Sequence, residues 1–241
     1  ITTCSLAGAQ FGYALLWGLT FSVVATIILQ EMSARLGIIT RYGLGEALRT
    51  QFSTPASRFI TAILVVSAIT IGNAAFQTGN ILGASIGLHA LFGDETLPLR
   101  FWVALTAAAA FLLLLAGSYK LIERALVGLV IVMSLTFLTT AIIISPRLPE
   151  ILRGMFIPSL PSGSILTLVG LIGTTVVPYN LFLHASAVQE RWKDASGLGE
   201  ARTDISVSVI LGGLISMAIV VTSAVAFFGT GNTITDASGF A

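Results

Sequence analysis

The chain has 241 residues, of which 55% are hydrophobic and only 10% charged, and its mean hydropathy is +0.96; a soluble domain carries about a quarter of its residues as charges. A formal net charge of +1 without any basic tract sets nucleic-acid binding aside. The single cysteine, Cys4, excludes an internal disulfide and a cysteine-based zinc site.

The few charges lie in short clusters between apolar runs of roughly 18 to 25 residues, the length that crosses a hydrocarbon core. This pattern predicts an all-α, polytopic transmembrane helical bundle. The chain opens at Ile1 without a methionine, inside membrane-like sequence and with no visible signal peptide, so residues 1–241 read as a fragment of a single transmembrane domain.

In chain order, residues 1–9 read as the end of an earlier segment. Six full spans follow, at 11–29, 59–92, 101–116, 125–144, 165–188 and 205–228. The 59–92 run is long for one crossing and predicts a helix that tilts or projects beyond the bilayer. Residues 42–51 read as a short interfacial helix. Residues 145–161 hold Pro146, Pro149, Pro158 and Pro161, so they cannot be helical throughout and read as an outer loop.

Basic residues orient the chain. Arg35, Arg41, Arg49 and Arg58, then Lys120 and Arg124, then Arg191, Lys193 and Arg202 fall on one side of the alternating spans; Arg100, Arg147 and Arg153 fall on the other. The richer side is cytoplasmic by the positive-inside rule.

Two segments carry polar residues at membrane depth. In the 165–188 span, Gly173, Thr174 and Thr175 precede Val176, Val177, Pro178, Tyr179 and Asn180. Pro178 donates no N–H and its ring crowds the preceding turn, which frees carbonyls around Thr174 from helical pairing. Free carbonyls at that depth are tolerated only inside protein or facing water, and there they can coordinate a cation. A simple proline kink is the alternative. Asn180 and His184 are one turn apart and share a face, which suits a polar inner wall; for His184 a packed, hydrogen-bonded role stands beside ligation.

In the 59–92 span, Asn73, Gln77 and Asn80 form one amide stripe at i, i+4 and i+7. The adjoining Gly72, Gly79, Gly83 and Gly87 would let a neighbouring helix approach closely. The amides fit either interhelical hydrogen bonding or a wall of a permeation path. No acidic residue falls centrally in any span, and there is no Ser/His/Asp set, no HExxH pattern and no phosphate loop with its lysine. An enzyme is not expected.

Several stretches are similar to the NRAMP family of divalent-metal transporters: Ala7-Gly-Ala-Gln-Phe-Gly-Tyr13 with Leu15-Leu-Trp17, Ser33-Ala-Arg-Leu-Gly-Ile38, Ile157-Pro-Ser-Leu-Pro161 and Val177-Pro-Tyr-Asn-Leu-Phe-Leu-His184. They keep the family's order and spacing to about Gln189, and the last span matches in character alone. The resemblance implies a partial LeuT-like inverted-repeat fold holding the end of helix one through helix seven. It also implies alternating access in a multi-pass protein of the bacterial cytoplasmic (inner) membrane. The family's Asp-Pro-Gly-Asn motif would lie immediately before Ile1.

By the same resemblance, the family's ligating carbonyl maps to Thr174, and its Met-Pro-His becomes Val177-Pro178-Tyr179, so the thioether that favours soft transition metals is lost. His184 retains the second histidine. The acidic pair associated with proton movement aligns with Gln77 and Asn80, which carry no proton, as in NRAMP-related magnesium transporters; proton coupling is left open. The implied substrate is a divalent cation such as Mn²⁺ or Mg²⁺, with no cofactor, and the implied partners are the bilayer and the remaining helices of the parent chain. Thr2, Thr3, Asn73, Gln77, Asn80, Pro178, Tyr179, Asn180 and His184 then line the path. Two other readings stay open, a LeuT-like carrier of a small organic solute and a non-transporting structural or sensing relative.

Overall fold

The computed structural model describes residues 1–52, 54–92, 97–115 and 119–230. Among these the regular elements are helices: α1 (Thr2–Phe11), α2 (Leu16–Thr40), α3 (Leu44–Gln51), α4 (Pro55–Phe92), α5 (Leu99–Leu115), α6 (Tyr119–Ile143), α7 (Leu148–Phe156), α8 (Ile165–Thr175), α9 (Pro178–Arg191) and α10 (Leu198–Phe227), with a 3₁₀ turn at Ala195–Gly197. Counting α8 and α9 as one crossing, five segments are long and apolar enough to span a bilayer, and α5 is a shorter apolar helix of 17 residues. The six expected spans are therefore all represented by helices among the described residues.

Their ends differ from the expected ones. The span expected from residue 11 begins at Leu16, because Gly12 takes a left-handed φ of 58° and ends α1 at Phe11. It runs on to Thr40 instead of stopping at residue 29, and α4, α6 and α10 likewise start ahead of their apolar runs. Hydropathy marks where lipid stops, whereas helical hydrogen bonding continues through Glu31 and Arg35, which pair at i, i+4 on the helix surface. The proline-rich outer segment holds a nine-residue helix, α7, with Pro149 in its first turn, where a missing N–H costs nothing.

Close approach organises one group of helices. A Cβ on Gly8 of α1 would overlap the Val220 carbonyl oxygen of α10, and one on Gly37 of α2 would overlap the Ala185 carbonyl oxygen of α9. Beside these contacts Ser223 donates to the Ser5 carbonyl at 2.7 Å and Ser33 donates to the Leu181 carbonyl at 2.6 Å. Apolar packing of Leu15, Leu16, Leu19, Leu168, Leu171 and Val220 fills the space between α2, α8 and α10. At the opposite end from Arg35 and Arg41, Trp17 donates to the Ser159 carbonyl at 2.9 Å, which ties the segment before α8 to the start of α2.

At the other end α2, α9 and α10 are joined by charge. Glu31 accepts from both Arg35 (2.7 Å) and Arg202 (2.8 Å), and Arg41 donates to the carbonyls of Trp192 (2.8 Å) and Gln189 (3.0 Å). These arginines are among those assigned to the cytoplasmic side. The α4–α5 pair stands apart from this group, linked internally by Ser85 and Thr106 at 3.2 Å and meeting the rest through α3 and α9.

Candidate functional site

The span expected to break does so. α8 ends at Thr175, Val176 (φ −90°, ψ 85°) and Val177 (φ −99°, ψ 119°) leave the helical region, and Pro178 restarts the chain as the first residue of α9. The N–H four residues beyond Thr174 would be that of Pro178, which has none, so the Thr174 carbonyl has no helical donor. The Asn180 N–H bonds the Val177 carbonyl at 3.2 Å, which withdraws it from the carbonyl of Val176.

The break opens on a cavity of about 440 Å³ between the start of α1, the middle of α4, the end of α8 and α10. Thr2, Thr3, Asn80 and Thr174 line it, so four residues from three distant stretches of sequence come together there. Phe76 and Gly79 form the apolar part of the α4 wall. Three polar residues that sequence reasoning did not select also face this space, Cys4, Thr175 and Ser216. Cys4 and Thr175 adjoin residues that were selected. Ser216 lies in the span that resembles the family in character alone, so no motif pointed to it.

The other expected residues sit around this space. Gln77 is one turn from the wall and its Oε1 accepts from Asn80 Nδ2 at 3.3 Å; Asn73 lies a further turn along α4. Val177 is buried in protein, 7% exposed, and not at the cavity wall. Pro178 is exposed, and the Tyr179 ring packs edge-on against Phe76 with centroids 5.9 Å apart, joining α9 to α4 behind the wall. Asn180 and His184 are half-buried further down α9, and His184 Nε2 has no hydrogen-bond partner among the described residues.

Among the described residues no helix lies against the α4 glycines. A Cβ on Gly72, Gly79, Gly83 or Gly87 would meet nothing within 4 Å among the described residues. Small residues permit an approach but supply no partner, and α4 lies at the margin of the described helices. The cavity wall holds hydroxyl, amide, thiol and carbonyl groups and no charged side chain, and no group of three or more His, Cys, Asp or Glu gathers anywhere among the described residues.

The family model for "natural resistance-associated macrophage protein-like" (Nramp) sequences matches residues 1–241. The chain belongs to the Nramp family. Curated relatives include the divalent metal cation transporter MntH of Mesorhizobium japonicum, 35% identical over 237 residues covering 93% of this chain and 50% of the relative, and that of Erwinia tasmaniensis, 30% identical with 94% and 54% covered. Among solved structures, the Eremococcus coleocola manganese transporter in complex with an aromatic bis-isothiourea compound superposes with a TM-score of 0.71 at 27% identity, covering 92% of this chain and 47% of that one. The chain thus spans about half the length of the relatives it matches. As an Nramp-family chain it is a multi-pass integral membrane protein of the bacterial inner-membrane type with a LeuT-like fold, in a family of metal-ion transporters rather than enzymes.

Proposed function

We propose that this chain forms the part of a divalent-cation transporter running from the end of helix one through helix seven, and that the cation passes through the cavity beside the α8–α9 break. The observation that carries this reading is the meeting of Thr2, Thr3, Asn80 and Thr174 around one space next to a carbonyl deprived of its helical donor. Thr174 supplies its backbone oxygen, and the hydroxyls of Thr2 and Thr3 and the amide of Asn80 replace part of the ion's hydration. Gln77, Asn73, Tyr179, Asn180 and His184 continue the hydrated path. The metal is the transported substrate, with no resident cofactor.

Two consequences follow from the donor set. The thioether position is Val177, a buried aliphatic, so the site leans towards hard oxygen-preferring ions and discriminates weakly against Mg²⁺. Gln77 and Asn80 occupy the places of the family's acidic pair and cannot take up a proton, so the alternating-access cycle runs without stoichiometric proton movement. The remaining helices of the parent chain complete the site.

Uptake into liposomes containing the full-length protein tests this, with Mn²⁺, Mg²⁺ and Ca²⁺ offered separately and a lumenal dye following pH. Saturable uptake of Mn²⁺ or Mg²⁺ without acidification is expected. Acidification in step with uptake would refute the uncoupled cycle and keep the metal. No ion movement by folded, correctly inserted protein would move the cargo to small organic solutes, for which a neutral cavity of hydroxyls and amides also serves.

A further inference from the structure

Thr26 is a buried hydroxyl in the middle of α2 that does nothing for its own helix. Elsewhere on α2, Thr20, Ser22 and Thr40 return their hydroxyls to the carbonyls four residues back, at 3.2, 2.7 and 2.7 Å. This is the default for a hydroxyl on a helix with no water at hand. Thr26 is only 6% exposed, and its Oγ1 has no hydrogen-bond partner among the described residues. A buried donor left unpaired is costly and calls for an explanation.

What faces it follows from the register of α2 on the α8–α9 pair. Ser33 contacts the Leu181 carbonyl, Gly37 the Ala185 carbonyl and Arg41 the Gln189 carbonyl, a constant offset of 148 that makes the two helices parallel and in step. Towards the outer face, Gly18 packs on Leu168, an offset of 150. Thr26 stands seven residues before Ser33, nearly two full turns and so on the same face. Carrying the two offsets to Thr26 places residues 174 to 176 opposite it. That is the end of α8 and the start of the break.

The same short segment holds carbonyls that have lost their helical donors, those of Thr174 and Val176. Any of them not turned to the cavity needs a donor from protein. We propose that Thr26 is a positioning residue for the ion site: its hydroxyl donates to the released Val176 carbonyl when the break tightens around a cation, and so leaves the Thr174 oxygen turned towards the cavity. The proposal rests on the metal-transport reading and adds to it a residue outside the cavity wall.

The test compares Thr26→Val, which keeps shape and removes the donor, with Thr26→Ser, which keeps the donor, in the full-length protein. Expected for Thr26→Val are a KM for Mn²⁺ raised about fivefold, the loss of one hydrogen bond, with kcat within about twofold, and near wild-type values for Thr26→Ser. The tightened break is also sampled without an ion, so hydrogen exchange of the amides across 173–180 supplies a readout that needs no transport. It should quicken about fivefold in Thr26→Val and recover in Thr26→Ser.

Were Thr26 merely an unsatisfied buried group, Thr26→Val would raise the melting temperature and leave KM and exchange unchanged; that result overturns the proposal. A wild-type protein that moves no metal defeats the transport reading, and exchange then judges Thr26 alone. Should Thr26→Val fail to insert, Thr26→Cys, similar in size and a weak donor, takes its place in both measurements.

Discussion

The helices gathered around α2 and the α4–α5 pair are built from equally apolar sequence, yet they pack in opposite ways. In the most apolar part of α2 28% of residues are buried inside the structure and in that of α10 39%, whereas in that of α4 none is. Apolar side chains gain nothing by leaving lipid for protein, so hydrophobicity alone does not draw helices together in a bilayer. Close backbone approach and a few interhelical hydrogen bonds do. Gly8 and Gly37 rest on partner carbonyls with Ser223 and Ser33 beside them, while the glycines of α4 face open space.

The contrast is sharpest where a side chain is added. Gly8→Val and Gly37→Val should each destabilise the full-length protein by about 3 kcal/mol, because a Cβ would overlap a backbone carbonyl that cannot move aside, read as thermal unfolding in detergent. An unchanged melting temperature would show that these contacts do not hold the group together. Removing a clasp has a smaller effect. Ser33→Ala loses the bond to Leu181 and should cost about 1 kcal/mol, near the upper range for a hydrogen bond between membrane helices.

Charge at the arginine-rich end should matter less again. Arg202→Gln leaves Glu31 still paired with Arg35, so a loss of about 0.5 kcal/mol is expected, shrinking as salt is added. Gly83→Ala on the open face should fall within about 0.5 kcal/mol of wild type, since the new methyl meets nothing and alanine favours the helix. A loss as large as that of Gly8→Val would mean that another helix of the full-length protein covers α4, and would redraw the comparison.

Much of the fold was legible because lipid imposes a length and proline an interruption. The spans, the basic side and the break ahead of Pro178 each follow from a local rule that tertiary context does not override. Helix ends were less legible. Helical pairing in α2 carries on past Leu29 through Glu31 and Arg35, which hydropathy scores as loop. Of the residues that line the cavity, Asn80 was named from the amide stripe, Thr174 from the break ahead of Pro178, and Thr2 and Thr3 only with the metal-transport reading. Ser216 was not, because a lone serine in an apolar span has no pattern of its own and its place at the wall depends on how α10 lies against α1.

Val177 shows the same division from the other side. Its place in the motif suggested a ligand position, and local geometry does put it at the break, but the packing of the helices turns it into protein. Sequence by itself determined that this chain spans a membrane, which end holds its arginines and where one helix must come apart, since solvation, charge and the missing N–H of proline act on each segment alone. Which residues share the cavity, which glycines are contacts and which are open, and that Thr26 lies level with the break were decided only by the tertiary structure, because in lipid the partner of a helix face is chosen by shape and hydrogen bonding between segments far apart in the chain.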